Sequence, residues 1–116
     1  MMVRRAISRP PASTKYTHPP SPGRHHPRIR RSRSVQLNHH RFEPAEIHVP
    51  VGTPVILFVT NEDDTAEEFD SSALKVEKVI AAGHYAAIRL RPLGPGRYPF
   101  MGEFHADTAQ GVVVSE

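Results

Sequence analysis

The chain has 116 residues, room for one domain, with twelve prolines and neither cysteine nor tryptophan. Without cysteine, disulfides, thiolate catalysis and cysteine-ligated zinc or copper are excluded. The net charge of +3 hides a division: ten of the fifteen Lys and Arg residues stand at or before Arg41, where no acid occurs, and all twelve acids follow. The part after Arg41 is therefore acidic, and the high pI is no argument for nucleic-acid binding.

Residues 1–34 read as a disordered arm. RPPAS, HPPSPGRHHPR and RIRRSRS combine prolines, like charges and few apolar side chains, and cannot bury enough surface to offset their ordering entropy. MMVRRAISRPPAS has a basic start but no apolar h-region, so no secretory signal is read there. The Arg- and Ser-rich, acid-free composition is that of a transit peptide, but the prolines oppose an amphipathic helix. An over-extended start is the equal alternative. No apolar run is long enough for a membrane span, so stable membrane insertion is not expected. His18, His25 and His26 lie in the arm, and His39 and His40 adjoin the first strand; a His-rich tract can bind metal, weakly and without specificity when disordered. No aromatic platform or fold motif supports nucleic-acid binding.

From residue 35 to residue 116 the pattern is that of one domain. Val35 and Leu37 are two apart, as on a strand. Ile47 and Val49 form a short strand, ended by Pro50 and Gly52. Val55 to Thr60 is a continuous β-branched and aromatic run, suited to a central strand covered on both faces, and Asn61 to Asp64 closes it with turn residues. Asp70 to Leu74 is the one place for a turn of helix, with Asp70 or Ser71 as its N-cap. Lys75 to Ile80 and the alternating Ala86, Ile88 and Leu90 give two further strands. PLGPGRY turns into Tyr98 and Phe100, and Gly111 to Ser115 supplies the last strand. Seven or so short strands at this spacing predict an all-β antiparallel Greek-key sandwich.

The order of these pieces resembles the cupredoxin superfamily. FEPAEIHVPVGTPVILFVTNED is similar to its F-x-P-x-x-I-x-V-x-x-G-x-x-V opening, and LGPGRYPFMGEFHADTAQGVVV to its L-x-x-G-x-Y-x-F…C-x-x-H…G closing. More narrowly, EEFDSSALKVEKVI with GEFHADTAQG resembles the EfeO-type cupredoxin-like domains. That resemblance implies a periplasmic or cell-envelope protein of bacterial iron or copper handling and transport, with a membrane iron permease or other transport component as partner. Carried over by position, the family's first histidine ligand falls on Glu67, its cysteine on Gly102 and its second histidine on His105. Its methionine falls near Ala109 or Gln110, neither a good ligand.

A blue-copper centre needs two His and one Cys in a trigonal set, so this chain is not expected to carry one. The metal candidates are Glu67, Met101, Glu103 and His105, a mixed set suited to Cu(II) or iron. Glu67 shares a strand face with Phe69 if Phe69 points inward, whereas Met101 and Glu103 face away from Phe100 and Gly102 unless a bulge re-aims them. Gly102 is read as a position where a side chain would fill the lost copper site. Asp107 is expected to cap a turn in ADTAQG. The alternative is a metal-free β-sandwich interaction module. No nucleophile with a matched base, phosphate loop or acid–base pair is present, so no enzyme is expected.

Overall fold

The computed structural model describes residues 31–116. The expected disorder of residues 1–30 lies outside them. Nine strands follow in chain order: β1 (Arg31–Asn38), β2 (Arg41–Glu43), β3 (Glu46–Val49), β4 (Val55–Asn61), β5 (Glu67–Ser71), β6 (Val76–Ile80), β7 (Tyr85–Leu90), β8 (Gly96–Gly102) and β9 (Gln110–Ser115). One sheet has the order β2-β1-β4-β7 and the other β3-β9-β8-β5-β6. Each strand turns one face to the space between the sheets, which is the period-2 rule at work. Val35 and Leu37, Leu57 and Val59, and Ile88 and Leu90 meet Ile47, Phe69, Phe100 and Val113 there, all buried.

This is the expected β-sandwich, with local differences. Two ladders, β1 with β4 and β3 with β9, are parallel, so the sheets are mixed rather than wholly antiparallel. The first strand starts at Arg31, four residues before the expected domain boundary, because Arg31 to Ser34 pair in parallel with Val55 to Phe58. Backbone pairing there outweighs an unpromising composition. The segment expected to turn into helix at Asp70 instead ends β5. Ser71 Oγ accepts from Leu74 N (2.9 Å) and donates to Pro99 O (2.7 Å), closing a turn, not a helix. Nor is β4 covered on both faces. Ile56 and Phe58 are half-buried on the outer side, where Phe58 leans on Tyr85 across the strand pair.

Three rings organise one end of the sandwich. Phe42, Phe69 and Phe100 are buried, with centroid separations of 6.0 Å (Phe42–Phe69), 5.0 Å (Phe42–Phe100) and 4.8 Å (Phe69–Phe100). They come from β2, β5 and β8, and each lies two residues from a position of the site described below: His40, Glu67 and Gly102.

Elsewhere, on the exposed side of β3, His48 is held at both ring nitrogens. Nδ1 lies 2.8 Å from Glu116 Oε2 and Nε2 lies 2.7 Å from Glu46 Oε2. Two carboxylate partners require two N–H donors, hence an imidazolium. The hydrogen bonds it donates to Glu116 and then Glu46 raise its pKa above the ordinary 6.5. A raised folded-state value gives stability that is complete below the ordinary value and lost as pH rises through the raised one. His48→Gln therefore lowers Tm at about pH 5 and has a smaller effect at about pH 8. Thermal melts at the two pH values check this, and equal losses at both would contradict it.

Candidate metal centre

The site begins with register. In the β5–β8 ladder Phe69 faces Gly102 and Asp70 faces Met101. Continued by two residues, that ladder would bring Phe104 opposite Glu67. The chain instead tightens into a 3-10 helix at Glu103–His105, and the Phe104 N–H loses a backbone partner. The Glu67 carboxylate takes its place: Oε1 accepts from Phe104 N (2.8 Å) and from Glu68 N (3.0 Å). Oε2 lies 2.7 Å from His105 Nδ1. Glu67 is only 2% exposed, and a buried carboxylate persists when its oxygens are occupied in this way.

Gly102 makes room for that carboxylate. A Cβ there would lie 2.6 Å from Glu67 Cδ, 2.7 Å from Glu67 Oε2 and 2.8 Å from Ala109 Cβ. The volume where the family's cysteine would point is filled by Glu67. The following loop is closed mainly by backbone: His105 O accepts from Thr108 N (3.1 Å) and Ala109 N (2.8 Å), Gly102 N donates to Ala109 O (2.8 Å), and Gln110 Nε2 donates to Ala106 O (2.8 Å). The carbonyl of His105, not Asp107, is the acceptor that shapes this turn.

The third member comes from the β1–β2 turn. His40 stacks on His105, with centroids 3.6 Å apart and planes 10° from parallel. Its Nδ1 lies 3.3 Å from Asp63 Oδ2 but outside hydrogen-bonding geometry, and this buried nitrogen has no hydrogen-bond partner. Among the described residues, His40, Glu67 and His105 form a group whose ligand atoms all lie within 4.8 Å of one another.

Of the four expected ligands, Glu67 and His105 converge. Met101 is 37% exposed on the outer face of β8, paired with Asp70 and Gln110. Glu103 is exposed and belongs to an acidic outer surface with Glu68, Asp70 and Glu77. Glu68 is raised above the usual carboxylate range by desolvation first, then by the charges of Glu77, Asp70 and Glu103. Strand alternation turns Met101 outward, and the 3-10 turn does the same for Glu103. His40 is the member of the group that sequence reasoning missed. The available signal was HHRF, a histidine two residues before a core aromatic, the same spacing that links Glu67 to Phe69.

Chemically, the group is two imidazoles and one carboxylate. It does not fit a blue-copper centre, since the thiolate is absent and Glu67 holds its place. It fits an ion that accepts mixed nitrogen and oxygen donors, such as Cu(II), the three ligand atoms lying within 4.8 Å of one another.

The chain matches the family model of the Cupredoxin-like domain over residues 20–115. It belongs to the cupredoxin-like domain family. An uncharacterized protein of Rickettsia prowazekii (strain Madrid E) is 41% identical over 80 residues, 69% of this chain and 64% of that protein. This cupredoxin-like chain therefore spans about two thirds of the length of that relative. Among solved structures, the metal-binding domain of the Streptococcus pneumoniae D39 Cu(I)-exporting P-type ATPase CopA, solved with Cu(I), superposes with a TM-score of 0.64. The identity is 17%, over 74% of this chain and 85% of that one. Auracyanin A, a "blue" copper protein of Chloroflexus aurantiacus, superposes with a TM-score of 0.63 at 12% identity, over 73% of this chain and 98% of that one. At these identities the likeness shows the cupredoxin fold alone.

Proposed function

We propose that this cupredoxin-like chain binds an oxidised transition-metal ion, Cu(II) foremost, through His40, Glu67 and His105, and holds or delivers it rather than passing electrons. The convergence of the three ligand-bearing side chains within 4.8 Å carries the reading. Glu67 supplies negative charge from a rigid, buried position. His105 is oriented by its bond to Glu67 Oε2, which leaves Nε2 as its unengaged nitrogen, in the manner of carboxylate–histidine pairs at metal centres. His40 closes the group from the opposite sheet. Stacked rings direct their in-plane lone pairs in parallel, so a shared ion requires the two imidazoles to splay, which rotation of the His40 side chain on its held backbone supplies. Hard oxygen and imidazole donors favour the oxidised ion over Cu(I).

Copper is favoured over iron because two imidazoles suit Cu(II) and the superposed structures named above are copper proteins. The EfeO-type strings EEFDSSALKVEKVI and GEFHADTAQG support a setting in metal handling at the cell envelope, with a transport protein as recipient. A second reading, a metal-free interaction module, has one observation in its favour: Glu67 already accepts from three protein donors and needs no ion to be satisfied.

Titration of the full chain with Cu(II), read by calorimetry, separates the two. The metal reading expects one equivalent bound, weakened roughly 10–100-fold in both His40→Ala and His105→Ala and unaffected when His18, His25 and His26 are replaced. Binding that survives the His40→Ala/His105→Ala double substitution supports the module, as does the absence of one-equivalent binding.

A further inference from the structure

The turn that carries His40 is unusual in its residues. His39 and His40 both have positive φ, 54° and 57°, between the closing pair Asn38 and Arg41. A two-residue hairpin with both central residues in the left-handed region is of the I′ class, which ordinarily calls for Asn-Gly or Gly-Gly. Two histidines hold it here, and a carboxylate from across the sequence stands against them. Asp63 Oδ1 accepts from His39 N (2.7 Å) and Oδ2 accepts from His40 N (3.0 Å).

That carboxylate is itself fixed. Its side chain is 9% exposed, and Asp63 N donates to Asn61 Oδ1 (3.0 Å). Asn61 is fully buried, and its Nδ2 donates to Thr65 O (2.9 Å) and Ile80 O (3.0 Å). Glu62 N donates to Leu37 O (2.8 Å), tying the same loop to the end of β1. A continuous hydrogen-bonded path thus runs from the core amide of Asn61, through Asp63, to the backbone of the two histidines.

We propose that Asp63 is a positioning residue of the metal centre: by holding the His39–His40 turn in the left-handed conformation it sets the His40 ring against His105. This inference rests on the metal reading above and deepens it. Asp63 grips the backbone of His40; its Oδ2 stands 3.3 Å from the ring's Nδ1 without hydrogen-bonding geometry, so its hold on the turn is through the backbone.

The test uses the full chain in two readouts. In the metal-free protein, ring-proton chemical shifts of His40 and His105 report the stack. With Cu(II), a competition titration reports affinity. Asp63→Ala is expected to abolish the ring-current shifts and to weaken Cu(II) binding roughly 10–100-fold. Adding His39→Gly is expected to recover most of both, because glycine adopts positive φ without steric cost. Asp63→Asn keeps one carbonyl acceptor for two N–H donors and should fall between; if the alanine variant does not fold, Asp63→Asn with and without His39→Gly carries the comparison. Native shifts and native affinity in the Asp63 variants would overturn the proposal, and so would a loss that His39→Gly leaves untouched. If the native chain binds no Cu(II), the metal reading fails, and the metal-free shifts alone decide the role of Asp63.

Discussion

Glu67→Ala is expected to lower stability by about 3 kcal/mol, because two backbone N–H groups and one imidazole nitrogen lose their acceptor at once. For a domain of this size that corresponds to a fall in Tm of roughly 12–24 °C, measurable by calorimetry. Glu67→Gln tests the same residue more finely. The amide keeps the shape, and its carbonyl oxygen can still serve Phe104 N and Glu68 N. Its NH2 group can face His105 Nδ1 once the imidazole carries its proton on Nε2. The expected stability cost is about 1 kcal/mol, while the anionic charge of the proposed ligand is lost. A stability loss in Glu67→Ala no larger than in Glu67→Gln would mean that water replaces the carboxylate at little cost, contrary to its 2% exposure.

The second large effect is at Gly102. A methyl group there would meet Glu67 and Ala109 at 2.6 to 2.8 Å, inside any tolerated contact, and the carboxylate cannot retreat without dropping its hydrogen bonds. Gly102→Ala is expected to cost about 2–3 kcal/mol as overpacking. Glu67 and residue 102 compete for one volume, so the two effects are coupled. In a Glu67→Ala background, Gly102→Ala should cost less by about 1–2 kcal/mol, the remainder being its contact with Ala109. Denaturant titrations of the four proteins in the cycle measure this, and strict additivity would show that the two positions do not share space.

These two residues were also the part of the site most legible in the sequence. Glu67 and Gly102 were placed by their positions in the cupredoxin pattern that the chain resembles, and the structure puts them on the inward faces of β5 and β8 with Phe69 and Phe100. His105 stands at the second histidine position of the same pattern. Alternation turned Met101 away, although its neighbourhood with His105 in the chain suggested otherwise. What the chain conceals is long-range. His40 lies in a turn without the Asn-Gly signal; the support for its backbone comes from Asp63, 23 residues on.

Strand β5 was hidden for a different reason. EEFDS does alternate, inward at Glu67, Phe69 and Ser71, but two of the three inward residues are polar, so the period is disguised. Three-residue β2 offers too short a pattern to read. Residues Arg31 to Ser34 join a sheet only because Val55 to Phe58 present a free parallel edge. Only for Arg31 to Ser34 was the missing information a partner distant in sequence; β2 and β5 pair with neighbouring strands.

Crystals of the full chain grown with Cu(II), with diffraction collected at the copper absorption edge, test the central claim most directly. The account predicts one anomalous peak flanked by the side chains of His40, Glu67 and His105, with the two imidazoles no longer stacked. Copper bound elsewhere, as at His48 between Glu46 and Glu116, with His40 and His105 still stacked, would contradict it.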